Sequence, residues 1–319
     1  MRLRVLQWVT AAALASAAAL PARAADVVIG VGDWPSARAT AHLVKAIAET
    51  RLGATVELRS GATAELWEAA GAGEIDILPE IWLPNDRAQV ARHVDRTHAV
   101  TLLPRGVPAR QGLCTTQQAA EEFGIRSVDD LASRKTAELL DTDADGTGEI
   151  WIGAEGWNST RVEQIRAKSY GYDRTMTLIE ADEPVAMAGI DVAAALGEPI
   201  VFYCYEPHHM FALHDLVMLD EPGHDPTTWT IRSPDEDPDW LANSTASTAW
   251  AVSFIHMAHR TGLETEQPEV TDMLARMDLQ PDAIEAMTYA LIVERKEPDD
   301  FAREWIAANA DRVNGWLGQ

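Results

Sequence analysis

Three aspartates at alternate positions open the stretch DTDADGTGEIWIGAEGWNST, residues 141 to 160, which then runs through an apolar segment to a lone tryptophan, Trp157. Carboxylates so spaced suit calcium. Asp141, Asp143, Asp145 and Gly146 match the D-x-D-x-D-G start of a calcium loop, with Thr147 and Glu149 at later ligand positions. The match stops there, because the twelfth position is Ile152 instead of a bidentate glutamate and the following residues read as a strand instead of a helix. A structural calcium site completed from elsewhere and a plain acidic turn both stay open. No base or nucleophile accompanies these carboxylates, so no catalytic role is expected of them. His208, His209 and His214 form a second cluster, and as metal ligands they would make the chain a zinc receptor or a metal-dependent hydrolase. Neither H-E-x-x-H nor a G-x-S-x-G elbow occurs, and His208 is expected instead to support a neighbouring aromatic from behind Pro207.

Trp157 has counterparts. DVVIGVG (26 to 32) reads as a buried strand, followed by a helical pattern carrying Leu43, Val44, Ile47 and Leu52 that Gly53 closes. A strand at 55 to 60, a helix at 62 to 74 and a strand at 75 to 84 complete a βαβαβ block, the grammar of a parallel sheet with covering helices. The grammar repeats after residue 148: EIWIGA is a strand, NSTRVEQIRAKSYG a helix capped by Asn158 or Ser159, MTLIEA a strand, DEPVAMAGIDVAAALGE a helix and PIVFYCYEP a strand. Trp34 follows the first strand of one block and Trp157 that of the other; Trp82 and Tyr205 end the third strands, each 48 residues later. Both third strands end in aromatic-x-Pro. Ligands of open parallel sheets sit beyond the carboxyl ends of the strands, so two such blocks facing each other would gather four aromatic residues around one cleft. Aromatic walls suit a weakly hydrated cation, held by the negative quadrupole of the ring faces.

GDWPSARATAHLVKAIAETRLG, GEIDILPEIWLP, GAEGWNSTRV and EPIVFYCYEPHHMFALHDLVML, in that order, resemble the glycine betaine/proline betaine substrate-binding proteins of ABC importers. The resemblance covers essentially the whole chain after the first 24 residues. It implies an α/β fold of two lobes with a hinge, the periplasmic-binding-protein or Venus-flytrap type, and an aromatic box of Trp82, Trp157 and Tyr205 with Trp34 as a fourth wall. It also implies an ABC permease and its ATPase subunit as partners. Two departures stand out: Tyr205 replaces a tryptophan of many relatives, and Glu155 a frequent proline. Asn158, Ser159 and Thr160 stand at an expected helix start, where free N–H groups would suit the carboxylate of glycine betaine or proline betaine. Glu80, Glu155 or Glu206, if turned into the cleft, would instead favour choline or trimethylamine N-oxide; carnitine is a further alternative.

The remainder of the chain sets the frame. Arg2 and Arg4, an apolar run to Leu20 and Ala22-Arg23-Ala24 read as a secretory signal over residues 1–24, and Ala25 is not the cysteine of a lipid anchor. A periplasmic monomer is the expectation. The net charge of -24, which signal removal would make more negative, argues against nucleic acid as a partner. The expected division is 25–109 with 214–319 as lobe one and 110–213 as lobe two. From 244 onward the chain reads as helices, STASTAWAVSFIHMAHR included, with Trp250, Trp305 and Trp316 assigned to packing, and 222–243 reads as an exposed connection. Cys114 and Cys204 are either paired or two buried thiols, and their spacing does not decide.

Overall fold

The computed structural model describes residues 25–319 apart from 235; the expected signal at 1–24 lies outside the described residues. Strands β1 (Val27–Val31), β2 (Val56–Ser60) and β3 (Ile77–Leu83) alternate with helices Pro35–Ile47 and Thr63–Gly71. A long strand β4 (Val100–Thr116) leads into β5 (Gly148–Gly153), β6 (Met176–Glu180) and β7 (Val201–Glu206), which alternate with helices Asn158–Tyr170 and Glu183–Leu196. Then follow β8 (Leu216–Met218), a small two-stranded sheet of β9 (Trp229–Thr230) with β10 (Thr245–Ala246), and β11 (Ser253–Arg260). The main path runs β2-β1-β3-β11-β4-β7-β5-β6. β1 is parallel to β2 and β3, and β5 is parallel to β6 and β7, so each block holds its first strand between its second and third. β11 and β4 are inserted antiparallel between the two parallel groups.

Local chemistry accounts for the pattern. β1 is VVIGV and buried throughout, as a central parallel strand must be, whereas β2 at the edge alternates partly buried and exposed positions. Pro35 begins its helix where a missing N–H costs nothing, and Gly53, at φ 71°, ends the helical run in the left-handed region.

Two expectations change, and one strand enters that the sequence had not marked. The segment read as the helix STASTAWAVSFIHMAHR ends as strand β11, because Ser253–Arg260 fills the gap between β3 and β4 and pairs with both. β4 itself, within a segment that carries no clear period, crosses the molecule: its residues up to Ala109 pair with β11 and those from Arg110 pair with β7. The chain also stays with the second lobe past 213, since β8 pairs with Cys114–Thr116 and β10 packs on helix Asn158–Tyr170; its return to the first lobe is at Ser253, not at 214. The helices Pro281–Ile292 and Pro298–Ala308 then cover Pro35–Ile47 in lobe one. Cys114 and Cys204 form a disulfide between β4 and β7. Among the described residues no helix is long and apolar enough to cross a membrane.

Candidate ligand-binding site

The two lobes meet around a cavity of about 40 Å3, and its aromatic walls are the four residues named above with Tyr203. The same local device builds each half. Trp34 and Trp157 occupy the position just before helices Pro35–Ile47 and Asn158–Tyr170, so each ring leaves the chain where a strand end turns into a helix. Trp82 and Tyr205 lie at the ends of β3 and β7, each followed within two residues by a cis X-Pro bond, Leu83-Pro84 and Glu206-Pro207. Adjacent rings stand nearly perpendicular: Trp82 and Tyr205 at 83° with centroids 5.3 Å apart, Trp157 and Tyr205 at 77° and 6.1 Å, Trp34 and Trp157 at 84° and 6.2 Å. Perpendicular neighbours make corners, and corners leave several ring faces turned to one centre. Glycine is required behind Trp34, because a Cβ on Gly32 would sit 2.3 Å from the indole ring.

Carboxylates hold the outer edges of these rings. Trp34 Nε1 donates to Glu80 Oε2 at 2.7 Å, and Ser36 and Thr40 hydroxyls donate to the same group. Trp157 Nε1 reaches across the cleft to Asp33 Oδ1 at 2.8 Å. Tyr205 donates its hydroxyl to Glu183 Oε1 at 2.7 Å, and His208 Nε2 lies 2.8 Å from the same oxygen. His208 also packs edge-on against the Tyr205 ring, with centroids 4.7 Å apart. Burial raises the Tyr205 hydroxyl far above its ordinary value, so it remains a donor. Burial also raises the Glu80 carboxyl, against the lowering effect of its donors.

Asn158 and Ser159 line the cavity but do not cap the helix by side chain; Asn158 is its first helical residue. Its amide has a different task, donating from Nδ2 to Asp86 Oδ1 of the other lobe at 2.8 Å. Asp86 is buried on the cavity wall, its second oxygen accepting from the Trp82 backbone N–H at 3.1 Å, and burial pushes its carboxyl up to about 6. Sequence reasoning named neither Asp86, Asp33 nor Glu183. The only cue for Asp86 was the turn-forming Asn85-Asp86 pair after Pro84, which folds the carboxylate back to Trp82. Of the three glutamates weighed, Glu80 sits behind the box, Glu155 is exposed and Glu206 pairs with Arg110. Trp250, Trp305 and Trp316 lie outside the box: Trp250 donates to buried Glu163, and Trp305 stacks on Trp316 at 15°.

The lobe crossings lie side by side beneath the site. Gln111 Oε1 accepts from Asn85 and from Tyr203, each at 2.7 Å, and its Nε2 donates to Ser253 Oγ at 2.8 Å. One side chain thus ties both crossing strands to the box.

The two metal candidates behave differently. Asp141, Asp143, Asp145 and Glu149 each bring one oxygen to within 4.8 Å of the others, and the Thr147 hydroxyl donates to Asp145 Oδ1 beside them. The His208 and His209 rings lie 4.2 Å apart, but among the described residues the three histidines do not form one ligand group: His208 is held by Glu183, His214 pairs with Asp191 at 2.7 Å, and burial pushes His209 down to about 3.

The family described as the substrate binding domain of ABC-type glycine betaine transport system matches residues 25–308. The glycine betaine/proline betaine-binding periplasmic protein of Salmonella typhimurium LT2 is 21% identical over 216 residues, 66% of this chain and 64% of that protein. Its Escherichia coli K12 counterpart is 21% identical over 218 residues, with the same shares. The chain thus spans a little under two thirds of the length of the curated relatives it matches. Among solved structures, an ABC-transporter choline binding protein in complex with choline superposes with a TM-score of 0.72 at 21% identity, over 92% of this chain and 91% of that one. Lactococcal OpuAC, closed and complexed with glycine betaine, superposes with a TM-score of 0.70 at 21% identity, over 91% and 98%. Both show the two-lobed periplasmic-binding-protein fold.

Proposed function

We propose that this chain, which belongs to the family of substrate-binding domains of ABC-type glycine betaine transport systems, captures a small methylated ammonium compound between its lobes and does no chemistry on it. The observation that carries the reading is the box of perpendicular aromatic rings assembled half from each lobe, with Trp34 and Trp82 on one side and Trp157 and Tyr205 on the other. A desolvated cation gains about 0.5 to 2 kcal/mol from each well-placed ring, so the head group favours the closed arrangement over the open one. The closed form is then what an ABC permease with its ATPase subunit recognises, and the chain works as a periplasmic monomer. Glycine betaine, proline betaine and choline, the ligands named for its relatives and structural neighbours, all carry a methylated quaternary ammonium. Trp157→Ala or Trp82→Ala should weaken binding of tetramethylammonium, the bare head group, by about tenfold or more without unfolding the protein. Unchanged affinity by calorimetry in both variants would sink the reading.

The acidic loop belongs to the same proposal as a structural calcium site, held by Asp141, Asp143, Asp145 and Glu149. Calcium should raise the melting temperature by binding the folded state alone. No shift at millimolar calcium, or the same shift in an Asp143→Ala, Asp145→Ala variant, would reduce the loop to an acidic turn.

A further inference from the structure

We propose that the site selects ligands of net positive charge, a quaternary ammonium alcohol such as choline over the zwitterionic betaines, and that Asp86 is the specificity-determining residue. The inference rests on the function proposed above and concerns only the far end of the ligand. Three observations carry it. First, among the described residues no lysine, arginine or histidine lines the cavity, so none of their cationic side chains is placed to receive a ligand carboxylate. Second, a carboxylate of the protein already stands beside the helix start that would serve as the alternative anion site: Asp86 accepts from the side-chain amide of Asn158, the first residue of that helix, at 2.8 Å. A ligand carboxylate arriving there would meet a like charge in a buried setting, where repulsion is weakly screened. Third, the box is backed by carboxylates. Glu80, Asp33 and Glu183 accept from Trp34, Trp157 and Tyr205, and the one imidazole among these contacts, His208, lies against Glu183. Each such bond draws the donor hydrogen toward an acceptor and leaves the ring face richer in electrons, which favours a cation. Asp86 itself retains acceptor capacity. Its two oxygens offer about four lone-pair sites, and the contacts to Asn158, the Trp82 N–H and the Trp67 side chain use three of them, leaving one. A ligand hydroxyl can donate to what is left, whereas a carboxylate has nothing to donate. Rejection of the betaine is therefore as much a part of the selectivity as attraction of the alcohol.

The test is calorimetric titration of the full mature chain with tetramethylammonium, choline, glycine betaine and glycine betaine methyl ester, the last removing the ligand's negative charge while keeping its skeleton. Choline and the ester should each bind about tenfold or more tightly than glycine betaine. In Asp86→Asn, which keeps the size of the side chain and removes its charge, the ratio should fall to about threefold or less, chiefly because glycine betaine gains. Glycine betaine binding as tightly as choline to the unmodified chain would overturn the inference, as would a folded Asp86→Asn variant with an unchanged ratio. Should that variant not fold, the ester comparison on the unmodified chain decides alone. Failure of tetramethylammonium and all three longer ligands to bind would instead remove the aromatic-box function itself.

Discussion

Asp86 is a carboxylate kept out of water, and its titration should be visible in both stability and binding. Burial lifts it from 3.8 to about 6, so between those values the folded chain holds a proton that the unfolded chain has released. The stability this provides is complete below 3.8 and is lost as pH rises through about 6. At neutral pH the ionised group costs about 3 kcal/mol relative to a solvated one. A bound cation offsets that cost, so its own affinity must follow the ionised fraction. Choline should bind roughly tenfold more weakly at about pH 5 than at about pH 7.5, and Asp86→Asn should flatten the profile. Glu80, also raised, stays in place in that variant, and His209, pushed down to about 3, is neutral throughout, so a profile that keeps its slope would assign it to Glu80. The four ring residues were legible in the sequence because a repeated interval of 48 residues and a repeated aromatic-x-Pro marked them. Asp86 was not, because its place depends on a turn that brings residue 86 back over the backbone of residue 82, and no period in the sequence announces such a return.

Strands and helices with an uninterrupted apolar run or a capped 3.6-residue period were readable, while elements defined by their partners were not. The β11 segment Ser253–Arg260 can satisfy either pattern locally, and only the open edges of β3 and β4 make it a strand. The helix Asn158–Tyr170 shows the opposite effect, a readable element with an unreadable interior. It buries Arg166 completely, paired with Glu163 at 3.0 Å and Glu221 at 2.7 Å, and anchored further on the Thr248 carbonyl. The contact draws 221 and 248, on either side of the exposed connection, onto one helix of lobe two, and it accounts for the chain's late return to lobe one. Removing the guanidinium would leave two carboxylates without their counter-ion in a dry setting. Arg166→Ala should therefore lower stability by about 3 to 5 kcal/mol, measured by denaturant unfolding, whereas Arg134→Ala, at an exposed pair with Glu138, should change it by less than about 1 kcal/mol. Equal effects of the two substitutions would mean that the buried network adds nothing to the docking of this segment.

At the scale of the whole molecule, two lobes share one continuous strand, and the disulfide fastens that strand to the second lobe alone. Cys114 and Cys204 enclose a loop of 90 residues that contains β5, β6 and their helices, so the crosslink restricts the unfolded state of lobe two while leaving the crossings at Ala109–Arg110 and before Ser253 free to bend. Closure and stability are thus assigned to different parts of the same strand. The Gln111 amide grips Ser253 and Tyr203 at the crossing, and Trp157 to Asp33 with Asn158 to Asp86 clasp the lobes above it. A paired Cys114→Ala, Cys204→Ala variant should lose about 2 to 5 kcal/mol of stability. Hydrogen exchange should locate the loss: amides of residues 148 to 206 should exchange faster, while those of β1 and β3 keep their protection. Tetramethylammonium affinity should hold within about threefold, because the ring positions are set by strand ends and helix starts away from the crosslink. Uniform acceleration across both lobes would show instead that they unfold as one unit, and that the shared strand β4 couples them more tightly than a hinge allows.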